Sequence, residues 1–165
     1  MDFRIDGDLL SMSDRYLSED SCLAPTKHCR NGQGTPNNLN KVRMTREKLF
    51  VYGTLRANER ANELLGKGAS FIRRAKTLPS YSLYQIDWYP GLVEGGSTEI
   101  IGELWEIESS EWPRLDEYEG VPEDYLRKKI KLADGCLTHA YIFIGSLEQA
   151  SLITGGDWVT RRVIT

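Results

Sequence analysis

The sequence predicts an α+β domain, and two observations carry that prediction. From residue 49 onward, short runs of strand character recur between glycine and proline breaks, while only two stretches repeat their apolar residues at helical spacing. Near the C-terminus, two such runs flank Asp134-Gly135, the turn chemistry of a tight antiparallel hairpin.

Taken in order, residues 1–43 are polar, with Ser, Asp, Asn and Gly scattered through them and no sustained periodicity. They read as a flexible tail, with at most a short helical pattern from Leu9 and Leu10 to Tyr16 and Leu17, and the compact domain is expected over 44–165. Residues 49–52 read as a buried strand. Ala57, Ala61, Leu64 and Leu65 recur at helical spacing until Gly66 and Gly68 stop the helix. Strands follow over 70–78 and 81–86, separated by Pro79, and Trp88-Tyr89-Pro90-Gly91 reads as a turn because Pro presets φ and Gly tolerates the positive φ of a type II turn. Residues 99–107 alternate as a half-buried strand does. Ser109 or Ser110 is placed to cap a short helix through Trp112, Leu115 and Tyr118, with Pro113 in its first turn and Gly120 at its end. The hairpin strands span 125–132 and 137–144.

Composition narrows the function classes. The chain of 165 residues is 40% hydrophobic and 27% charged, enough for one well-buried core. A formal net charge of −3, with basic and acidic residues interspersed, leaves no footprint for nucleic acid. No apolar run approaches the roughly 20 residues that span a bilayer, and the N-terminus is too acidic for a signal or transit peptide, so no membrane partner and a cytoplasmic location are expected. Cys22, Cys29 and Cys136 are an odd count without framework spacing and read as free thiols. Cys22 and Cys29 flank His28, but too far apart for a zinc knuckle and with no second ligand pair, so no metal is expected. His139 stands alone in a strand-like run, which leaves Ser-His-Asp or Cys-His catalysis without material.

Two places carry chemistry. Where Val51-Tyr52-Gly53-Thr54-Leu55-Arg56 passes from strand to turn to helical pattern, Gly53 lets the backbone approach a ligand, and the first free amides of a helix suit a carboxylate or phosphate. In Leu115-Asp116-Glu117-Tyr118-Glu119-Gly120, three carboxylates crowd a helix C-terminus, where the dipole, neighbouring acids and partial burial all disfavour ionisation. Asp116 and Glu117 read as solvated acids. Glu119, against the stop glycine where the chain returns to the sheet, is the candidate for a carboxyl tuned to accept and return a proton.

These segments, with Tyr89-Pro90-Gly91-Leu92-Val93, Gly102-Glu103-Leu104-Trp105, Tyr125-Leu126-Arg127 and Gly156-Asp157-Trp158, occur in an order and spacing that resembles the gamma-glutamylcyclotransferase-like superfamily over about residues 48–158. The resemblance implies a small mixed β-barrel flanked by short helices. It also implies a loop of Tyr52, Gly53, Thr54 and Leu55 that binds a gamma-glutamyl or 5-oxoproline group, Tyr125 as a pocket wall and Glu119 as the catalytic glutamate. Thr54-Leu55 stands where the mammalian glutathione-pathway enzyme typically has Ser-Asn, which is more similar to the gamma-glutamylamine cyclotransferase and avirulence-induced plant-protein branch and leaves the leaving group open.

The implied reaction is attack of a substrate's own α-amine on its γ-carbonyl, releasing 5-oxoproline and an amine with one carboxyl as proton shuttle and neither cofactor nor metal. Two other classes stay open: a non-enzymatic module that binds a glutamyl-like small molecule, and an interaction protein whose motifs are packing and turns. A Glu119 facing the Tyr52 to Leu55 loop favours the enzyme; one facing solvent favours the others.

Overall fold

The computed structural model describes residues 45–161. The polar stretch 1–43, the helical pattern near Leu9 and the Cys22, His28 and Cys29 group lie outside the described residues.

The first strand, β1 (Arg46–Val51), ends in Leu49, Phe50 and Val51, all of them buried. Burial on both faces explains why this strand reads as a continuous apolar run rather than an alternating one. It lies between β5 (Ile101–Glu108), antiparallel from Arg46 opposite Glu108 to Val51 opposite Glu103, and β7 (Leu137–Phe143), parallel with Leu49 opposite His139. Outside these lie β2 (Ser70–Lys76) on β5 and β6 (Tyr125–Lys131) on β7, so the sheet runs β2-β5-β1-β7-β6. The expected hairpin joins β6 to β7, with Gly135 at φ 86°. A second sheet, all antiparallel, places β3 (Tyr81–Gln85) between β4 (Pro90–Glu94) and the two-residue β8 (Ser151–Leu152).

Phe50 and Leu104 pack with Leu83 and Leu92 of the smaller sheet. On the other side of β1, Leu49 and Val51 pack with Leu65, Ile107 and with Trp112 and Leu115 of the helix α1 (Trp112–Glu119). The α+β class is therefore observed, but the barrel is not: the strands divide into two sheets and do not close. The edges β2 and β6 meet only through a bridge between Thr77 and Leu132. Pro79 stops the ladder on one side, having no N–H to donate, and the Asp134-Gly135 turn stops it on the other.

Three local expectations are corrected. Residues 57–65 form turns and a short 3-10 helix, Asn62–Leu65, instead of an α-helix. Asn58 adopts φ 65°, the Ala57 amide donates to the Glu103 carboxylate and the Ala61 amide to the Thr54 carbonyl, so the donors a helix needs are taken elsewhere. The turn read at 88–91 lies two residues earlier, closed by the Ile86 amide donating to the Tyr89 carbonyl at 3.0 Å, and Pro90 and Gly91 already belong to β4. Pro is tolerated there because it is the first residue of an edge strand. At α1, no serine side chain caps the helix: Ser109 opens a 3-10 turn (Ser109–Glu111) instead. The helix does end as expected at Gly120, whose φ of 67° lets its amide return to the Glu117 carbonyl and that of Val121 to the Asp116 carbonyl. Among the described residues no helix is long and apolar enough to cross a membrane.

Candidate active site

A cavity of about 340 Å³ opens where the end of β1, the turn after it, the segment before β4, the end of α1 and the start of β6 converge. Tyr52, Gly53, Thr54, Leu55, Glu119 and Tyr125 all line it.

The binding turn begins at Gly53, and its need for glycine is steric. A Cβ there would overlap the Pro90 ring, so the absent side chain serves a close approach of two protein segments rather than a special φ. Among the described residues the amides of Gly53, Thr54 and Leu55 have no protein acceptor, whereas those of Arg56 and Ala57 are bonded to the Gly53 carbonyl and to Glu103. These are turn amides. With no α-helix behind them, the dipole contribution expected from the sequence is absent, and their donor capacity comes from the turn itself.

The turn is held from behind by Arg56. This guanidinium, 6% exposed, contacts Glu103 Oε1 at 3.3 Å and Asp157 Oδ1 at 2.7 Å. The other Glu103 oxygen accepts from the Ala57 amide at 2.9 Å and the Trp105 indole at 3.0 Å, so each charge in this buried group is paired and bonded. Burial opposes the charge on Asp157, but hydrogen bonds from Thr160, Arg56 and the Val159 amide outweigh it and hold the carboxyl below its ordinary range.

Two tyrosines form rigid walls. The Tyr52 hydroxyl donates to the Tyr141 carbonyl at 2.8 Å, and that of Tyr125 to the Pro90 carbonyl at 2.7 Å. Burial, reinforced by neighbouring acidic groups, raises both phenols above their usual range, so they stay neutral and serve as shape and donors. At the opening, Thr54 Oγ1 and the Tyr118 hydroxyl are 3.4 Å apart.

Glu119 is the last residue of α1, and its carboxylate opens into the cavity without a hydrogen-bond donor among the described residues. Burial alone pushes its carboxyl up to about 8. The crowding of neighbouring acids inferred from the sequence is not the cause. Asp116 turns away and accepts from the Tyr141 hydroxyl at 2.8 Å while pairing with Arg127 at 3.2 Å, so it is a bonded partner rather than a solvated acid. Glu117 is exposed but lies on the cavity's rim. His139 is remote from the cavity, between Glu47 and the edge of the Trp112 ring, and burial lowers its pKa.

The cavity also uses residues that sequence reasoning did not single out for the site: Trp88, Tyr89, Tyr118, Asp124 and Tyr141. Tyr89 and Tyr118 lie inside motifs already noted. Trp88 and Asp124 sit in irregular segments, where periodicity carries no signal.

The sequence and the fold have counterparts among known proteins. The profile of the family described as "Gamma-glutamyl cyclotransferase, AIG2-like" matches residues 49–160, and the chain belongs to that family. A Vibrio cholerae protein provisionally named a gamma-glutamylcyclotransferase is 36% identical over 113 residues, 68% of this chain and 96% of its own. The Bos taurus gamma-glutamylaminecyclotransferase is 32% identical over 93 residues, 52% of this chain and 55% of that protein. The crystal structure of a protein specific to uropathogenic Escherichia coli matches with a TM-score of 0.62 and 30% identity, over 70% of this chain and 94% of that one.

Proposed function

We propose that this protein is a cyclotransferase that releases 5-oxoproline from a gamma-glutamyl amine or peptide. The observation that carries the reading is an unpartnered carboxyl, Glu119, raised to about 8 and opening into the same cavity as three turn amides without protein acceptors. The amides of Gly53, Thr54 and Leu55 bind the glutamyl carboxylate. The α-ammonium gives its proton to Glu119, and the freed amine attacks the γ-carbonyl carbon. One C–N bond forms to close the lactam, and the C–N bond to the leaving amine breaks as Glu119 gives that proton to the departing nitrogen; the second proton of the attacking nitrogen passes to the released amine, which leaves as an ammonium ion. A carboxyl titrating near neutrality suits both transfers. Because ring closure is intramolecular, holding the folded substrate conformer supplies much of the acceleration, and the tyrosine walls serve that role.

The test is incubation of the purified protein with a panel of gamma-glutamyl amines and dipeptides, with 5-oxoproline detected by mass spectrometry. Glu119→Gln is expected to stay folded, to bind 5-oxoproline and to lose on the order of 10²-fold or more in turnover. kcat/KM is expected to rise with pH along a limb centred near 8, set by the Glu119 carboxyl. Binding of 5-oxoproline with no turnover of any member of the panel would favour a binding module of the same fold.

A further inference from the structure

Trp88 is 56% exposed and forms part of the cavity lining, and in the cyclotransferase reading, with the glutamyl end on the Gly53 to Leu55 amides, the leaving amine points toward this exposed side. The Arg60 guanidinium carbon lies 3.6 Å from the centroid of the Trp88 ring, the separation of a cation stacked on an aromatic face. The cations nearby differ in how they are balanced. Arg56 is buried between Glu103 and Asp157, and Arg127 pairs with Asp116. Arg60 has no ion pair and no side-chain hydrogen bond among the described residues. A guanidinium held flat on a ring keeps its in-plane N–H groups available, the geometry that receives a carboxylate through two parallel hydrogen bonds. The cavity wall itself carries no cation, its carboxyl groups being Glu117, Glu119 and Asp124, of which Glu119 is held protonated by burial. A carboxylate on the leaving group therefore meets repulsion from Glu117 and Asp124 and attraction only at the stacked cation.

We propose that Arg60, held on Trp88, is a specificity-determining residue that receives a carboxylate carried by the leaving amine, so that gamma-glutamyl amino acids are preferred to gamma-glutamyl amines without that group. This rests on the cyclotransferase reading above and decides the leaving group that Thr54-Leu55 left open.

The test compares gamma-glutamylalanine with gamma-glutamylethylamine, which differ only by the carboxylate, in the full chain and in its Arg60→Gln and Arg60→Lys variants. The unmodified protein is expected to favour gamma-glutamylalanine, mainly through a lower KM. In Arg60→Gln the ratio of the two kcat/KM values should fall about tenfold, as loss of a charge-assisted hydrogen bond implies. Arg60→Lys, which keeps the charge but loses the fork, should fall between them. A ratio unchanged in Arg60→Gln overturns the proposal. So does weaker binding of 5-oxoproline in that variant, because it would assign Arg60 to the glutamyl end. If the unmodified protein turns over both substrates without preference, this inference alone fails. If it neither turns over any gamma-glutamyl substrate nor binds 5-oxoproline, the cyclotransferase reading fails and takes this inference with it.

Discussion

Glu119 makes the fold sensitive to pH. Its carboxyl holds a proton up to about pH 8 in the folded protein, while in the unfolded chain it lets go near 4.5. Between those values the folded state binds more protons, so raising the pH through this window costs stability, fully so above 8 and not at all below 4.5. Glu119→Gln removes that penalty. Thermal unfolding at pH 4.5, 6 and 8.5 is expected to show the variant gaining on the parent as pH rises, and a gap that stays constant would show that the carboxyl is not buried. Gly53 sets a steric condition in the same cavity. Gly53→Ala would press its Cβ into the Pro90 ring, and overpacking of this kind typically costs about 1–3 kcal/mol. The expected result is a lower urea midpoint together with weaker 5-oxoproline binding by calorimetry.

At the scale of elements, the turn after β1 owes its shape to a buried ionic group rather than to a helix. Arg56→Met would leave Glu103, 6% exposed, without its cation, although the Ala57 amide and the Trp105 indole would still bond it. Breaking a buried pair on one side costs about 3–5 kcal/mol, and the two remaining donors place the expected loss toward the lower end, measurable by urea denaturation. The same turn shows why some of the architecture was legible in the sequence and some was not. β1, β5, the β6–β7 hairpin and the end of α1 depend on local signals: apolar runs, alternation, Asp134-Gly135 and Gly120. Residues 57–65 carry a helical pattern, yet Glu103, distant in sequence, takes the Ala57 amide and Asn58 goes left-handed. The first strand of the smaller sheet's hairpin partner, β4, hides behind Pro90-Gly91, a pair that spells a turn in isolation. The presence of Glu119 in the cavity followed from its place before the stop glycine; the reason for its raised pKa did not, because burial belongs to tertiary structure. Trp88 and Arg60 met only through the fold.

For the molecule as a whole, the Vibrio cholerae relative is matched over 96% of its own length by 113 residues of this chain, and the family profile begins at residue 49. A chain of residues 44–165 is therefore expected to keep the unfolding temperature to within a few degrees and to keep whatever turnover the full chain shows; a large drop in either would make the first 43 residues integral to the domain. The order in which such a chain can assemble follows from one bond. The Tyr52 hydroxyl reaches the carbonyl of Tyr141, 89 positions later, and the parallel pairing of Leu49 with His139 spans a similar separation. Contacts this distant in sequence are late and slow to form, since loop closure precedes their reward. During synthesis β1 has left the ribosome long before β7 exists, so its backbone edge on that side stays unpaired until residues 137–143 emerge. The cavity floor is thus completed by one of the last strands to emerge, and no partly made chain can hold a ligand there.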